Sequence, residues 1–132
     1  MKKLDAIIVD DFEASRKSLK LVLSRYTGIG KIEIEEASNG LEFLKLIKNK
    51  QPGLVFMDVK MPKMNGIEAT QLAIEKYPDL KVIAISTYDD MKSVQGMERA
   101  GAKAYLTKGF DKQILISIIL QVLSGNKQFI KQ

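Results

Sequence analysis

The stretch Leu54-Val55-Phe56-Met57-Asp58, continued by Val59-Lys60-Met61-Pro62-Lys63-Met64-Asn65-Gly66, decides how the rest of the chain is read. Four consecutive apolar residues follow the Pro52-Gly53 breaker, and the run stops at a carboxylate. A strand apolar at every position is covered on both faces, which is the condition of a parallel sheet wrapped by helices. Gly66 then opens a helical pattern to about Tyr77 that carries Ile67, Thr70, Ala73 and Ile74 and ends before Pro78.

The same unit repeats on either side. Upstream, Ala6-Ile7-Ile8-Val9 runs into Asp10-Asp11, and Leu19, Val22, Leu23 and Tyr26 follow i, i+3, i+4, i+7 spacing before Thr27-Gly28-Ile29-Gly30 breaks the pattern. Ile32-Glu33-Ile34-Glu35 alternates, as a strand with one wet face near a sheet edge does. Asn39-Gly40 then opens a helix expected to carry Leu41, Leu44 and Ile47. Downstream, Val82-Ile83-Ala84-Ile85 ends in Ser86 and precedes a helix from Met91 to Ala100. Ala104-Tyr105-Leu106 runs through Thr107 into Lys108, and a last helix spans about Asp111 to Leu123. Strands alternating with helices predict a five-stranded parallel α/β sandwich.

The last helix is apolar over more than one face. Leu115, Ile118, Ile119 and Val122 form a core stripe, with Ile116, Leu120 and Leu123 beside it, and no charge falls between Lys112 and Lys127. Such an arc exceeds the ~100° that one buried face requires. It suits either a deeply packed helix or a surface for self-association or docking.

Composition narrows the chemistry. At 132 residues with 45% apolar and 28% charged content, the chain reads as one ordinary soluble domain. It has neither cysteine nor histidine, so thiolate and imidazole catalysis and the usual zinc ligands are excluded. The start Met1-Lys2-Lys3-Leu4-Asp5 does not read as a signal peptide, no apolar run reaches membrane-spanning length, and a cytoplasmic location is expected. The net charge of +5 is spread along the chain without a helix-turn-helix pattern, which argues against direct nucleic-acid binding. Arg16, Lys17 and Lys20 form its tightest basic group, a solvated helix face or a docking surface for an acidic partner.

If the strands are parallel neighbours, Asp10, Asp11, Asp58, Ser86 and Lys108 meet at one edge, beyond the carboxyl ends where ligands sit in open sheets. Taken singly, a cap or a surface cation explains each; at four strand ends together, those explanations fail. Carboxylates a few ångströms apart repel by about 4 kcal/mol per pair at an effective dielectric near 20. A hard divalent cation, Mg²⁺ or Mn²⁺, relieves this with oxygen ligands.

These residues carry a resemblance. Asp10-Asp11 after the first strand, MDVKMPKMNG at 57–66, Ser86 ending the fourth strand and Lys108 after the fifth resemble the receiver domain of bacterial two-component response regulators. The resemblance runs to about Gly125 and implies a flavodoxin-like doubly wound sheet of order 2-1-3-4-5. Residues 1–125 would form the receiver, and 126–132 a tail or the start of a linker to an effector domain absent from this chain. By the same resemblance Asp58 would accept a phosphoryl group from a sensor histidine kinase. Asp11, Asp58 and the Lys60 backbone carbonyl would hold Mg²⁺, with Asp10 acting through water. Ser86 would hydrogen-bond the phosphoryl oxygens, Lys108 would pair with Asp58 and then with the phosphoryl group, and Tyr105 would be the aromatic switch. The chain would be a phosphoprotein switch rather than an enzyme turning over an external substrate.

Gly109 stands where many receivers have proline, and together with GAKAYLTKG and SGNKQF this is similar to receivers fused to LuxR-type helix-turn-helix domains. A transcriptional output through such a domain, and a homodimer formed on phosphorylation, are the implied readouts, with a stand-alone receiver or pseudo-receiver as the alternative. Thr87, Lys60 and Tyr88 are expected to tune attack of water on the phosphoaspartate. A haloacid-dehalogenase-type phosphatase shares the aspartyl nucleophile, but the second acid it wants is Lys60 here.

Overall fold

The computed structural model describes residues 3–25, 28 and 30–126. Strands and helices alternate along the chain: β1 (Lys3–Val9), α1 (Glu13–Arg25), β2 (Lys31–Ala37), α2 (Gly40–Asn49), β3 (Leu54–Met57), α3 (Gly66–Lys76), β4 (Val82–Ser86), α4 (Met91–Ala100), β5 (Ala104–Thr107) and α5 (Lys112–Leu123). All five strands are parallel, in the order β2-β1-β3-β4-β5. This is the flavodoxin-like arrangement expected from the sequence, with β2 at an edge.

Alternation along each strand sorts the core into two layers. Ile7, Val9, Val55, Met57, Val82, Ala84 and Tyr105 face one side, where Phe43, Ile47, Ala69, Ala73 and Met97 cover them. Ala6, Ile8, Leu54, Phe56, Ile83, Ile85 and Leu106 face the other, under Leu19, Leu23, Leu115, Ile118 and Ile119. Continuously apolar strands are therefore continuously buried, as the reading of Leu54–Met57 required.

Strand order decides where chemistry can happen. The chain leaves β1 for β2 on one side and returns to β3 on the other, so the order in which strands are added reverses between β1 and β3. Val9 pairs with Met57 in register, and the Asp58 N–H donates to the Val9 carbonyl at 2.9 Å. The residues that follow, Asp10 and Asp58, are thus forced side by side at the switch point. On the far side Ser86 pairs with Thr107, and the Lys108 N–H donates to the Ser86 carbonyl at 2.7 Å.

Some expectations needed correction. In α2, Phe43 and Ile47 face the core with Gly40, whereas Leu41 is 48% exposed and Leu44 only partly buried. Of the Leu41, Leu44, Ile47 stripe, Ile47 is buried and Leu44 packs against the core, while Leu41 gives way to Phe43, because apolar residues in LEFLKLI outnumber the positions that one face can hold. The second stripe of α5 also divides: Leu123 packs on the core, while Leu120 is 42% exposed. α5 begins at Lys112, with Asp111 as its N-cap, and α3 ends at Lys76, with Tyr77 as its C-cap. The expectations for Met1, Lys2, Tyr26, Thr27, Ile29 and the 127–132 tail lie outside the described residues.

Candidate functional site

The loop after β3 is built by close backbone contacts. The Met64 N–H donates to the Pro62 carbonyl at 2.7 Å around Lys63, whose φ is 68°, forming a three-residue γ-turn with a left-handed centre. The Gly66 N–H donates to the Val59 carbonyl at 2.7 Å, and a Cβ at Gly66 would stand 1.9 Å from the Asp58 carbonyl oxygen. Only glycine permits that approach. Asn65 caps α3, its Oδ1 accepting from the Glu68 N–H at 2.9 Å. This is why Asn65-Gly66 stands where it does: one residue starts the helix, and the next lets it start directly against the strand end.

The side chains converge as the topology demands. Carboxylate oxygens of Asp10, Asp11 and Asp58 all lie within 4.8 Å of one another. Asp10 and Asp58 are buried, and Asp11 is exposed. Lys108 Nζ lies 2.8 Å from Asp10 Oδ2 and 3.4 Å from Asp58 Oδ2. The lysine therefore makes the expected contact with Asp58 and adds a shorter one to Asp10. Asp10 also accepts from the Phe12 N–H through Oδ1 at 2.9 Å, while its carbonyl accepts from Arg16 Nη1 at 2.6 Å. The side chain that turns the chain into α1 is thus that of Asp10, leaving Asp11 free to face outward.

Electrostatics follow from this packing. Burial, reinforced by the Asp10 charge, pushes the Asp58 carboxyl up to about 6 against the opposing pull of Lys108 and the Val59 N–H, which donates to Oδ1 at 2.8 Å. Burial works against the Lys108 ammonium, but its hydrogen bond to Asp10 and the charges of both acids hold its pKa above the ordinary lysine value. The three acids with one lysine leave a surplus of negative charge, which a hard cation with oxygen ligands would neutralise; the donor set fits Mg²⁺.

On the other half of the edge, Ser86 is fully buried and its Oγ accepts from the Tyr88 N–H at 3.1 Å. The Tyr105 ring is buried, and its hydroxyl donates to the Tyr88 carbonyl. Burial raises the Tyr105 pKa, with a hydrogen bond from the Ser86 hydroxyl opposing it. Lys60, whose carbonyl was expected to be a ligand, lays its ammonium 3.9 Å from the Tyr88 ring centroid.

One participant, Ser15, had not been singled out, and Tyr88, expected only to tune attack of water, makes further contacts. Ser15 Oγ lies 3.4 Å from Lys108 Nζ, and no sequence pattern marks it, since its role arises only when the start of α1 comes within reach of the loop after β5. Tyr88 links Ser86, Tyr105 and Lys60 through its backbone and ring. The basic group on α1 proves to be largely committed: Arg16 and Lys20 pair with Glu36 at 2.9 and 3.1 Å, and Lys17 with Glu13 at 3.3 Å.

Comparisons with known proteins give the family and the fold. The profile of the response regulator receiver domain family matches residues 6–120. The transcriptional regulatory protein DegU of Brevibacillus brevis is 32% identical over 123 residues, covering 93% of this chain and 51% of that protein. The response regulator GacA of Pseudomonas aeruginosa is 31% identical over 124 residues, covering 94% of this chain and 57% of its own. The chain thus spans about half the length of the curated relatives it matches. Among solved structures, a CheY-like receiver domain protein from Methanospirillum hungatei superposes with a TM-score of 0.82 at 30% identity, covering 94% of this chain and 96% of that one. The receiver domain of the regulator NarL from Mycobacterium tuberculosis gives 0.84 at 26% identity, covering 96% of this chain and 100% of that one.

Proposed function

The chain belongs to the response regulator receiver domain family, and from that membership we propose that it is a switch phosphorylated on Asp58. The carrying observation is a buried carboxylate at the switch point, within 4.8 Å of two further carboxylates and 3.4 Å from an ammonium. With a pKa near 6, Asp58 is mostly ionised at neutral pH yet more basic than an ordinary carboxylate. An Asp58 oxygen attacks the phosphorus of a phosphohistidine on a sensor kinase. The new O–P bond forms as the P–N bond breaks, and the departing imidazole nitrogen keeps the electron pair and takes up a proton. Such transfer depends on placement and charge neutralisation more than on acid–base chemistry.

Asp11, Asp58 and the Lys60 carbonyl, with Asp10 acting through water, would hold Mg²⁺, which would supply countercharge to the transferring group. Lys108 is a second source of positive charge. Held between Asp10 and Asp58, it can shift toward the phosphoryl oxygens once Asp58 is esterified. Ser86 offers its hydroxyl to the same oxygens, which draws on the contact it now makes with the Tyr88 N–H. Because the Tyr88 carbonyl also holds Tyr105, a movement of Ser86 is passed to Tyr105, the switch residue. The readout would be transcriptional control through an effector domain outside this chain. The chain itself would turn over no external substrate and would work in the cytoplasm; no helix among the described residues is long and apolar enough to cross a membrane.

The test is mass spectrometry with a small phosphodonor and Mg²⁺. A gain of about 80 Da that chelation prevents is expected in the wild type and not in Asp58→Asn. No gain in the wild type, or an equal gain in the variant, would overturn the assignment. Phosphorylation should also promote pairing through α5 or the surface around Tyr105, given the exposure of Ile114 and Leu120. Light scattering that finds a monomer at high concentration, with and without a beryllofluoride mimic, would exclude that output.

A further inference from the structure

Behind Lys108 a cleft of about 400 Å³ runs from the acidic edge down between α1 and the β5–α5 loop. Its floor is the sheet face of Ile8, Phe56 and Ile85, and its walls are Leu19, Val22 and Phe110. Ala14, Ser15 and Ser18, all small, are what α1 presents over it. Gly109 contributes no side chain, and its φ of 92° is one that glycine adopts readily. An open cleft of this size, apolar below and polar at its mouth and along α1, has the dimensions and lining of a small-ligand site.

The mouth dictates what can enter. Asp10, Asp58 and Lys108 stand there together, two carboxylates to one ammonium. A carboxylate head would meet that surplus of negative charge. A cationic head would stand beside the Lys108 ammonium, which already pairs with Asp10 at 2.8 Å. An uncharged N–H or O–H can donate to a carboxylate oxygen without disturbing the lysine.

We propose that the cleft binds a small uncharged aromatic molecule bearing one hydrogen-bond donor, its ring in the apolar chamber and its donor on the Asp10 or Asp58 carboxylate. Resting on the receiver reading for its consequence alone, occupancy beside Lys108 slows phosphoryl uptake by Asp58.

Indole is the probe. Titrated into ¹⁵N-labelled protein, it should shift amides of 14–19 and 108–110 saturably, with a dissociation constant below about 1 mM. Benzoate, similar in size but anionic, should bind at least about tenfold more weakly. Ser18→Leu and Ala14→Leu place a side chain over the mouth from an exposed helix position, and each should weaken indole at least about tenfold while keeping the wild-type spectrum. Non-saturable or scattered shifts, equal binding of benzoate, or unweakened binding to well-folded forms of both variants would overturn the proposal. With Mg²⁺ and a phosphodonor, indole should slow uptake in the wild type and not in Ser18→Leu; unslowed uptake at saturating indole would overturn the coupling. Failure of uptake without indole speaks against phosphorylation of Asp58 and leaves the binding result standing.

Discussion

Asp58 is held under opposing pressures, and its titration should expose them. Its folded pKa near 6 lies above the ordinary aspartate value, so the native protein takes up this proton at a higher pH than the unfolded chain does. Stability must then rise as pH falls from about 7 toward 4, and the gain is complete once the unfolded carboxyl is protonated as well. Partial solvent screening reduces the effect to about 1–2 kcal/mol. In metal-free buffer, denaturant melts of the wild type should show this slope, whereas Asp58→Asn should lack it and be the more stable protein at pH 7. Parallel profiles for the two proteins would refute the assigned strain. Glu36 acts in the opposite sense. Lys20 and Arg16 lower its pKa, so its contribution is present above the ordinary glutamate value and fades as pH falls through the lowered one. Gly66 supplies the steric counterpart. Gly66→Ala drives a methyl into the Asp58 carbonyl, an overlap with backbone that no rotamer relieves. A loss of about 3 kcal/mol or more in stability is expected, along with impaired phosphoryl uptake through misplacement of Asp58.

At the scale of elements, capping and burial determine what each helix contributes. Asn39, Asn65, Asp90 and Asp111 each accept a backbone N–H in the first turn of α2, α3, α4 and α5. Asn65→Ala should cost about 1 kcal/mol, and more in uptake than in stability, because this cap sits directly after the Asp58 loop. Ile119→Ala, in the fully buried stripe of α5, should cost about 2–5 kcal/mol by calorimetry. Most of this layer was legible in advance, and the reasons are physical. Strands buried on both faces must be apolar at every position, so β3 and β4 declared themselves, and the wet alternation of β2 placed it at an edge. Helix faces were less legible where apolar residues exceed one face. In α2 the cluster from Leu41 to Ile47 offers two stripes, and Phe43 won because its ring reaches the core between β1 and α3. Contacts made only after elements pack, such as Ser15 beside Lys108 or the link from Tyr105 through Tyr88 to Ser86, have no periodic signature at all.

For the whole molecule, the site is a consequence of strand order, and that makes the acidic edge a determinant of global stability. Asp10, Asp11 and Asp58 come from two strands that pair only in the folded state, so the cluster they form does not exist in the unfolded chain. A cation bound by these residues therefore binds the native state alone and stabilises it by mass action, about 2.7 kcal/mol at a concentration 100 times its dissociation constant. Raising Mg²⁺ should increase the melting temperature, and chelation should reverse the change. The gain should be largest above pH 6, where Asp58 is ionised, and shrink as its proton competes with the metal. Asp11→Asn is the informative variant. This carboxylate is exposed, and it neither pairs with Lys108 nor turns the chain into α1, so the apo protein should melt close to the wild type. What should disappear is most of the Mg²⁺-dependent increment. An increment that survives in Asp11→Asn, or a wild-type melt indifferent to Mg²⁺ from pH 6 to 8, would show that the gathered carboxylates are balanced by Lys108 alone.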